Sequence, residues 1–211
     1  DSDAGNSNTT EFYFSGPLIS EKLGLQLFGK HSGREEDKKQ AGYPKRRMEN
    51  VGGKLTFVPI AGQTFELDYG IGFQKREASA KTTSPKRADE SKYKRNNYSG
   101  RYLGEFDHGI TVDIFYAYEK NNNYSRKMVT TNNELNGNVI IPIGDHVVTV
   151  GGQYMKEKLD DNNNQLNPDI LSISRKSHAI FLEDEWWIFD NLALTGGIRY
   201  DHDENYGSHY S

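Results

Sequence analysis

The sequence predicts an all-β fold, an antiparallel up-and-down transmembrane β-barrel segment of about ten strands. Three observations carry that reading. Apolar and polar residues alternate with period two over stretches of about ten residues. Short turns and long polar loops alternate along the whole chain. The composition is also too polar for an ordinary soluble core and too aromatic for a disordered chain: 34% of the 211 residues are hydrophobic and 12% aromatic, with 13 Tyr and 10 Phe. In a barrel wall only every second strand residue faces lipid, so a mean hydropathy of -0.84 is compatible with crossing a membrane. No apolar run approaches the roughly 18 residues of a membrane helix.

Taken in chain order, the first short turn is GPLISE (Gly16 to Glu21), followed by a long polar loop from about His31 to Arg46. PIAG (Pro59 to Gly62) turns the chain into FELDYGIGFQKR, where Phe65, Leu67, Tyr69, Ile71 and Phe73 share one face and Glu66, Asp68, Gly70, Gly72 and Gln74 the other. A second long loop covers Glu77 to Lys92 and a second strand pair turns at DHG (Asp107 to Gly109). ITVDIFYAYEK then sets Ile110, Val112, Ile114, Tyr116 and Tyr118 against Thr111, Asp113, Phe115, Ala117 and Glu119. Further long loops are read at Asn121 to Asn132, Leu159 to Ser174 and from Asp203 onward, separated by short turns at PIGDH (Pro142 to His146) and FDN (Phe189 to Asn191). All long connections at one end and all short ones at the other is the asymmetry of outer-membrane barrels, with external loops longer than periplasmic turns. Aromatics near strand ends, among them Phe12, Phe14, Tyr98, Tyr102, Trp186, Trp187 and Tyr200, suit the two membrane interfaces. Glycines within strands, such as Gly151 and Gly197, suit a curved wall or a close contact inside it.

Several function classes drop out. Cysteine is absent, which removes disulfide frameworks and thiolate metal sites, and a net charge of -4 argues against a globally basic nucleic-acid binder. No phosphate loop, nucleophile elbow or zinc-binding helix motif is present. DDNNNQLNPD (Asp160 to Asp169) spaces oxygen ligands as a calcium loop does, but lacks its glycine and terminal glutamate, so no metal site is expected. The opening DSDAGNSNTT has neither the basic start nor the apolar core of a signal peptide.

One stretch, AIFLEDEWWIFDNLALTGGIRYDHDENYGSHYS (Ala179 to Ser211), resembles the barrel of TonB-dependent outer-membrane receptors. Phe181, Glu183, Asp184, Glu185 and Trp186 match the first arm of a family hairpin, Asp190 and Asn191 its turn, and Leu192, Leu194, Gly197, Arg199, Tyr200 and Asp201 its return arm. The following His202, Tyr206, Gly207, His209 and Ser211 are similar to the catecholate-siderophore and colicin receptor branch. The resemblance implies that residues 1–211 form part of a 22-stranded plugged barrel. The plug, its energy-coupling box and the closing C-terminal strands are then expected outside this sequence. It also implies a Gram-negative outer-membrane location and no enzymatic reaction. The implied partners are a ferric siderophore as transported ligand, TonB acting through the plug, outer-membrane lipid and, in some members, a colicin or phage. No other cofactor is expected.

The long loops carry clustered cations, and a ferric tris-catecholate is an aromatic anion of about three charges, a natural partner for Arg, Lys and Tyr. The expected ligand-binding residues are Arg34, Lys45, Arg46, Arg47, Lys86, Arg87, Lys94, Arg95, Arg126 and Arg175. A ring of such charges would steer anions into the mouth, although single loop cations are commonly solvated or set against lipopolysaccharide phosphates. Two alternatives stand beside transport. One is a small complete ten-stranded outer-membrane barrel such as a surface protease, with Asp201 and His202 at its rim. The other is a soluble β-rich binding module.

Overall fold

The computed structural model describes residues 4–38, 42–79, 89–164 and 167–211, with only the backbone of Asp89. Eleven strands follow one another: β1 (Ser7–Ile19), β2 (Leu23–Arg34), β3 (Lys45–Phe57), β4 (Gln63–Ala78), β5 (Asp89–Glu105), β6 (Thr111–Asn123), β7 (Met128–Ile143), β8 (His146–Asp161), β9 (Ser172–Phe189), β10 (Leu192–Asp203) and β11 (Gly207–Tyr210). They form one sheet in sequence order, each strand antiparallel to the next. Between β5 and β6 the chain makes one 3₁₀ turn, Asp107–Gly109, where His108 and Gly109 both take positive φ.

The ladder registers determine which residues share a face, because side chains alternate across a strand and directly paired residues lie on the same side. Phe65 of β4 pairs with Phe57 of β3 and Tyr102 of β5, and Tyr102 pairs with Ile114 of β6. Glu66 pairs with Thr56 and Arg101, and Arg101 with Phe115. One face is therefore a continuous apolar surface and the other is largely polar. The apolar face is the exposed one: Ile198, Ile180 and Leu67 are 71%, 63% and 61% exposed, while the only well-buried apolar residues described are Ala78 and Ala179. Asp203 and Asn123, on the polar face, are 8% exposed. An arrangement this inverted suits a wall whose apolar face meets lipid and whose concave polar face meets a lumen.

Several charges on the lumen face are paired across strands. Arg101 of β5 donates both Nε and Nη2 to the Asp113 carboxylate of β6, at 2.9 and 2.6 Å. Lys54 of β3 meets Glu66 of β4 at 2.9 Å, and Lys30 of β2 meets Glu11 of β1. Aromatic rings on the lipid face cluster near both strand ends. Tyr102 lies 4.9 Å from Phe65 and Trp186 stacks on His146 at the short-turn end, while Tyr98 stacks on Tyr118 at 4.7 Å towards the other. Gly151 on the lumen face leaves room for a neighbour rather than for a ligand. A Cβ there would stand 2.2 Å from the ring of Phe181, its partner on β9.

Two loops read from the sequence are strand. β6 and β7 extend to Asn123 and from Met128, leaving only residues 124–127 where a loop from Asn121 to Asn132 is expected. Asparagine runs lower strand propensity, but each backbone here has a paired neighbour on both sides, and the ladder prevails. At the end of the chain, Asp203 Oδ1 accepts from the amides of Asn205 and Tyr206 at 2.9 and 3.2 Å, Gly207 takes φ 78°, and the segment read as a loop turns tightly into β11. Among the described residues the strand count is therefore eleven. The sheet's edges, β1 and β11, are not neighbours, so no ten-stranded closure forms among the described residues. Register slips occur at two places, between Pro17 and Ile19 and between Leu192 and Ala193, both beside short turns.

The facing assignment is directly testable. In the full-length protein reconstituted in lipid vesicles, a spin label at Leu135 should be relaxed by oxygen and shielded from an aqueous nickel chelate, and one at Asn136 should show the reverse bias. Matching accessibilities at the two sites would contradict the membrane-wall assignment.

Candidate ligand site on the lumen face

Alternation sorts the expected cations onto two sides of the wall. Arg34, Arg46, Arg95 and Arg175 fall on the lumen face, whereas Lys45, Arg47 and Lys94 fall on the lipid face. Arg126 sits in the 124–127 turn, and Lys86 and Arg87 lie outside the described residues. The set therefore does not form one ring. Arg47 is held by Glu49 on its own side at 2.5 Å, and Lys45 by Glu35 at 3.2 Å.

Two of the lumen-facing arginines are already engaged. Arg34 donates to Asp37 at 2.7 Å and lies 4.8 Å from the centroid of the Tyr43 ring. Arg175 donates Nε to Asp203 at 2.7 Å, with Glu157 at 3.7 Å and the Tyr206 ring beneath it. Among the described residues Arg46 bonds only to Gln74, at 3.4 Å, and directly opposite it on β4 is Arg76. Neither Arg76 nor Arg95 has a carboxylate partner among the described residues. Two guanidinium groups directly opposite one another across a ladder repel, and an anion between them relieves that cost.

Arg95 lines a concavity of 440 Å³, and Arg46 and Arg76 stand in the next ladder row towards the strand ends. Two ladder rows supply most of its lining, and Phe73, Lys94 and Asn122 between them complete it. Met48, Gln74, Tyr93, Asn123 and Met128 pair in succession from β3 to β7, and Asn50, Gly72, Arg95, Asn121 and Thr130 form the row beneath. Gly72 matters because a Cβ would stand 2.7 Å from the Asn50 side-chain oxygen, so its absence keeps the floor open beside Arg95. The result is a hollow offering a guanidinium, a phenol and side-chain amides, near the strand ends that carry the longer loops. Tyr93 and the asparagines were not singled out from the sequence because they sit within a polar run that reads as loop.

A second concavity, of 480 Å³, lies on the same face between β7 and β11, around Arg175, Arg199, Asp201 and Asp203. Arg199 donates to both Asp201 oxygens at 2.9–3.0 Å and to Gln153 at 2.9 Å, with its guanidinium over the Phe181 ring. The paired charges make this a structural brace in the wall. His202 is on the opposite side, bonded to Ser208 and 5.0 Å from the His178 ring. By register Asp201 and His202 thus fall on opposite sides of the sheet, which counts against the rim pair required by the protease alternative. In DDNNNQLNPD the side-chain oxygens cap their own turns: Asp161 accepts from the Asn163 amide, Asn164 from that of Asn167 and Asn167 from that of Asp169.

The family described as TonB dependent receptor-like, beta-barrel matches residues 1–211. The chain belongs to that family. An iron-regulated outer membrane virulence protein of Vibrio cholerae is 31% identical over 99% of this chain and 33% of its own length. The ferric enterobactin receptor of Pseudomonas aeruginosa is 23% identical over 98% of this chain and 36% of its own. The chain thus spans about a third of the curated relatives it matches. Among solved structures, the siderophore receptor PirA of Acinetobacter baumannii superposes with TM-score 0.82 at 20% identity, covering 100% of this chain and 38% of that one. A ferric enterobactin receptor of Pseudomonas aeruginosa in complex with enterobactin gives 0.82 at 20%, covering 100% and 39%. These two likenesses show the fold. The TonB-dependent receptor wall is a multi-pass element of a Gram-negative outer membrane, and the family comprises transporters and receptors rather than enzymes.

One loop of the receptor is organised by a single carboxylate. Asp37 accepts from the amides of Gly5 and Tyr43, each at 2.8 Å, as well as from Arg34. The two amides and the guanidinium hold its carboxyl far below the ordinary value of 3.8. A depressed folded pKa contributes stability that is complete above 3.8 and lost only as pH falls through the folded value. In hydrogen exchange on the full-length receptor, the Gly5 and Tyr43 amides should stay protected from neutral pH down to about 4. Asp37→Asn should strip that protection at every pH, and unchanged protection in the variant would show that other contacts hold the loop.

Proposed function

We propose that this chain is part of the barrel wall of a TonB-dependent receptor that binds and imports a ferric siderophore of the catecholate type. The observation that carries the reading is the lumen-face hollow lined by Arg95, with Arg46 and Arg76 in the next ladder row towards the strand ends: three guanidinium groups on adjacent strands with no carboxylate partner among the described residues. Lys54, Arg101 and Arg199, deeper on the same face, are each ion-paired, so the unpaired guanidinium groups gather nearer the mouth. Such an arrangement raises the local concentration of anions and speeds their capture. Guanidinium groups stack on aromatic rings as well as neutralising charge, and Tyr93 adds a flat surface with a hydroxyl, which together suit a ferric catecholate. A relative named as a ferric enterobactin receptor supports the ligand class, and an iron-regulated relative supports the physiological setting.

In this reading the remainder of the receptor supplies the plug, through which TonB acts, and the other strands of the barrel. Ligand held at the mouth passes to the plug without any bond being made or broken by the wall. Lys45 and Arg47 take no direct part, since they face away from the lumen.

The test uses the full-length receptor and a ferric catecholate. Arg76→Gln combined with Arg95→Gln should lower affinity about tenfold or more, mainly through a slower association rate, with the difference shrinking as salt is raised. Lys45→Gln combined with Arg47→Gln should leave binding close to that of the parent protein. Equal losses in both pairs would reduce the effect to net charge, and no loss in the first would remove the hollow from ligand capture.

A further inference from the structure

The sequence holds six histidines, and two of them meet on the lipid side of the wall. His178 of β9 and His202 of β10 are direct cross-strand partners. Their ring centroids lie 5.0 Å apart, with the planes tilted by 38°. They continue a ladder row that runs through Tyr116, Leu135 and Tyr154, and Ser208 of β11 closes it. Two other histidines are engaged by carboxylates: His31 faces Glu49 at 3.3 Å and His146 faces Asp184 at 2.9 Å. Neither His178 nor His202 has a carboxylate partner among the described residues.

The spacing of the pair suits a shared ion. Two imidazole nitrogens, each about 2.0–2.1 Å from one metal, place their ring centroids roughly 4.5 Å apart at a right angle and roughly 5.2 Å apart at a tetrahedral angle. The observed separation falls between these limits, so the rings can share an ion without a change of register. One ring is also held in a suitable state. His202 Nδ1 lies 2.9 Å from Ser208 Oγ, which lies 2.9 Å from the Tyr200 hydroxyl. With Nδ1–H donated to Ser208, the lone pair of Nε2 is left free, as in metal sites where an outer partner fixes the imidazole. His178 has no hydrogen bond among the described residues, so its ring can turn towards the same point.

The neighbours select the kind of ion. Lys156 and Lys176 stand in the next row towards the long-loop end, and they repel a dication held by charge alone. Mg²⁺ and Ca²⁺ require oxygen ligands that the pair does not offer, whereas imidazole suits Cu²⁺, Ni²⁺ and Zn²⁺. We infer that His178 and His202 form a two-ligand surface site for a first-row divalent ion of this kind, with water completing its coordination. The bound ion ties β9 to β10. The site is independent of the siderophore reading, because its side chains project from the opposite face of the wall.

The test uses the full-length receptor in detergent micelles and copper(II) iminodiacetate, a chelate that leaves adjacent positions open and so prefers an imidazole pair to a single histidine. The bound chelate should give an electron paramagnetic resonance spectrum split by two imidazole nitrogens. His178→Gln and His202→Gln should each lower its affinity at least about tenfold, while ferric-catecholate binding stays unchanged. Splitting by a single imidazole, undiminished binding in either variant, or displacement of the chelate by Ca²⁺ overturns the proposal. Separately, Zn²⁺ added to the unaltered receptor should slow the reaction of His178 and His202 with diethyl pyrocarbonate, read by peptide mass spectrometry, and leave the exposed His108 reactive. Protection of only one of the pair, of neither, or of His108 to the same degree also overturns it. This measurement needs no substitution, so it decides the matter even if the variants assemble poorly.

Discussion

Hydrocarbon offers no partner to a backbone amide, and the rest of this structure depends on that constraint. Each strand must spend its N–H and C=O groups on its neighbours, so the chain becomes a ladder of antiparallel strands in sequence order. Once the backbone is committed, only the alternation of side chains is left to distinguish lipid from lumen. Phe65, Tyr102 and Ile114 end on one side and Glu66, Arg101 and Asp113 on the other because of register alone. The large, fully enclosed apolar groups of a soluble core are missing among the described residues. Stability on the lumen side comes instead from cross-strand pairs such as Arg101 with Asp113 and Lys54 with Glu66.

Much of the fold was legible in the sequence. FELDYGIGFQKR and ITVDIFYAYEK announce their faces residue by residue, and the turns PIAG, DHG and FDN fall where the chain reverses. The errors cluster beyond the apolar band. Asn121 to Asn123 and Thr130 to Asn133 have lost the alternation of apolar and polar, since both faces meet water there, yet their backbones remain paired. Period-two patterning reports the membrane rather than the strand, and it ends before the strand does. The same applies to Asp203, whose side chain closes a turn that composition alone reads as an open loop.

The candidate site was legible in kind and not in place. Clustered Arg and Lys near the outer strand ends were visible, but which of Arg46 and Arg47, or of Lys94 and Arg95, faces inward depends on a parity counted from a distant part of the strand. The pairings that silence Arg34 and Arg175 involve Asp37 and Asp203, and the second of these comes from a neighbouring strand 28 residues away. The Arg199 to Asp201 pair shows the reverse case. Two residues apart on one strand, they were noted as part of a family-like motif, and their shared face gives that motif a mechanical role, bracing β10 against Gln153 of β8 and the Phe181 ring of β9.

The two register slips, at Leu18 and at Ile188, have a consequence for how such walls change length over evolutionary time. Adding one codon inside a strand would exchange its greasy and wet sides from that point on, and adding two would preserve them. Growth by odd steps is therefore confined to places where an unpaired residue can be shed before the hydrocarbon begins. Both slips sit beside short turns, at the edge of the sheet's apolar band. A genome comparison of relatives should thus find single-codon length differences gathered at the ends of strands, with the spans between them varying in even steps or not at all.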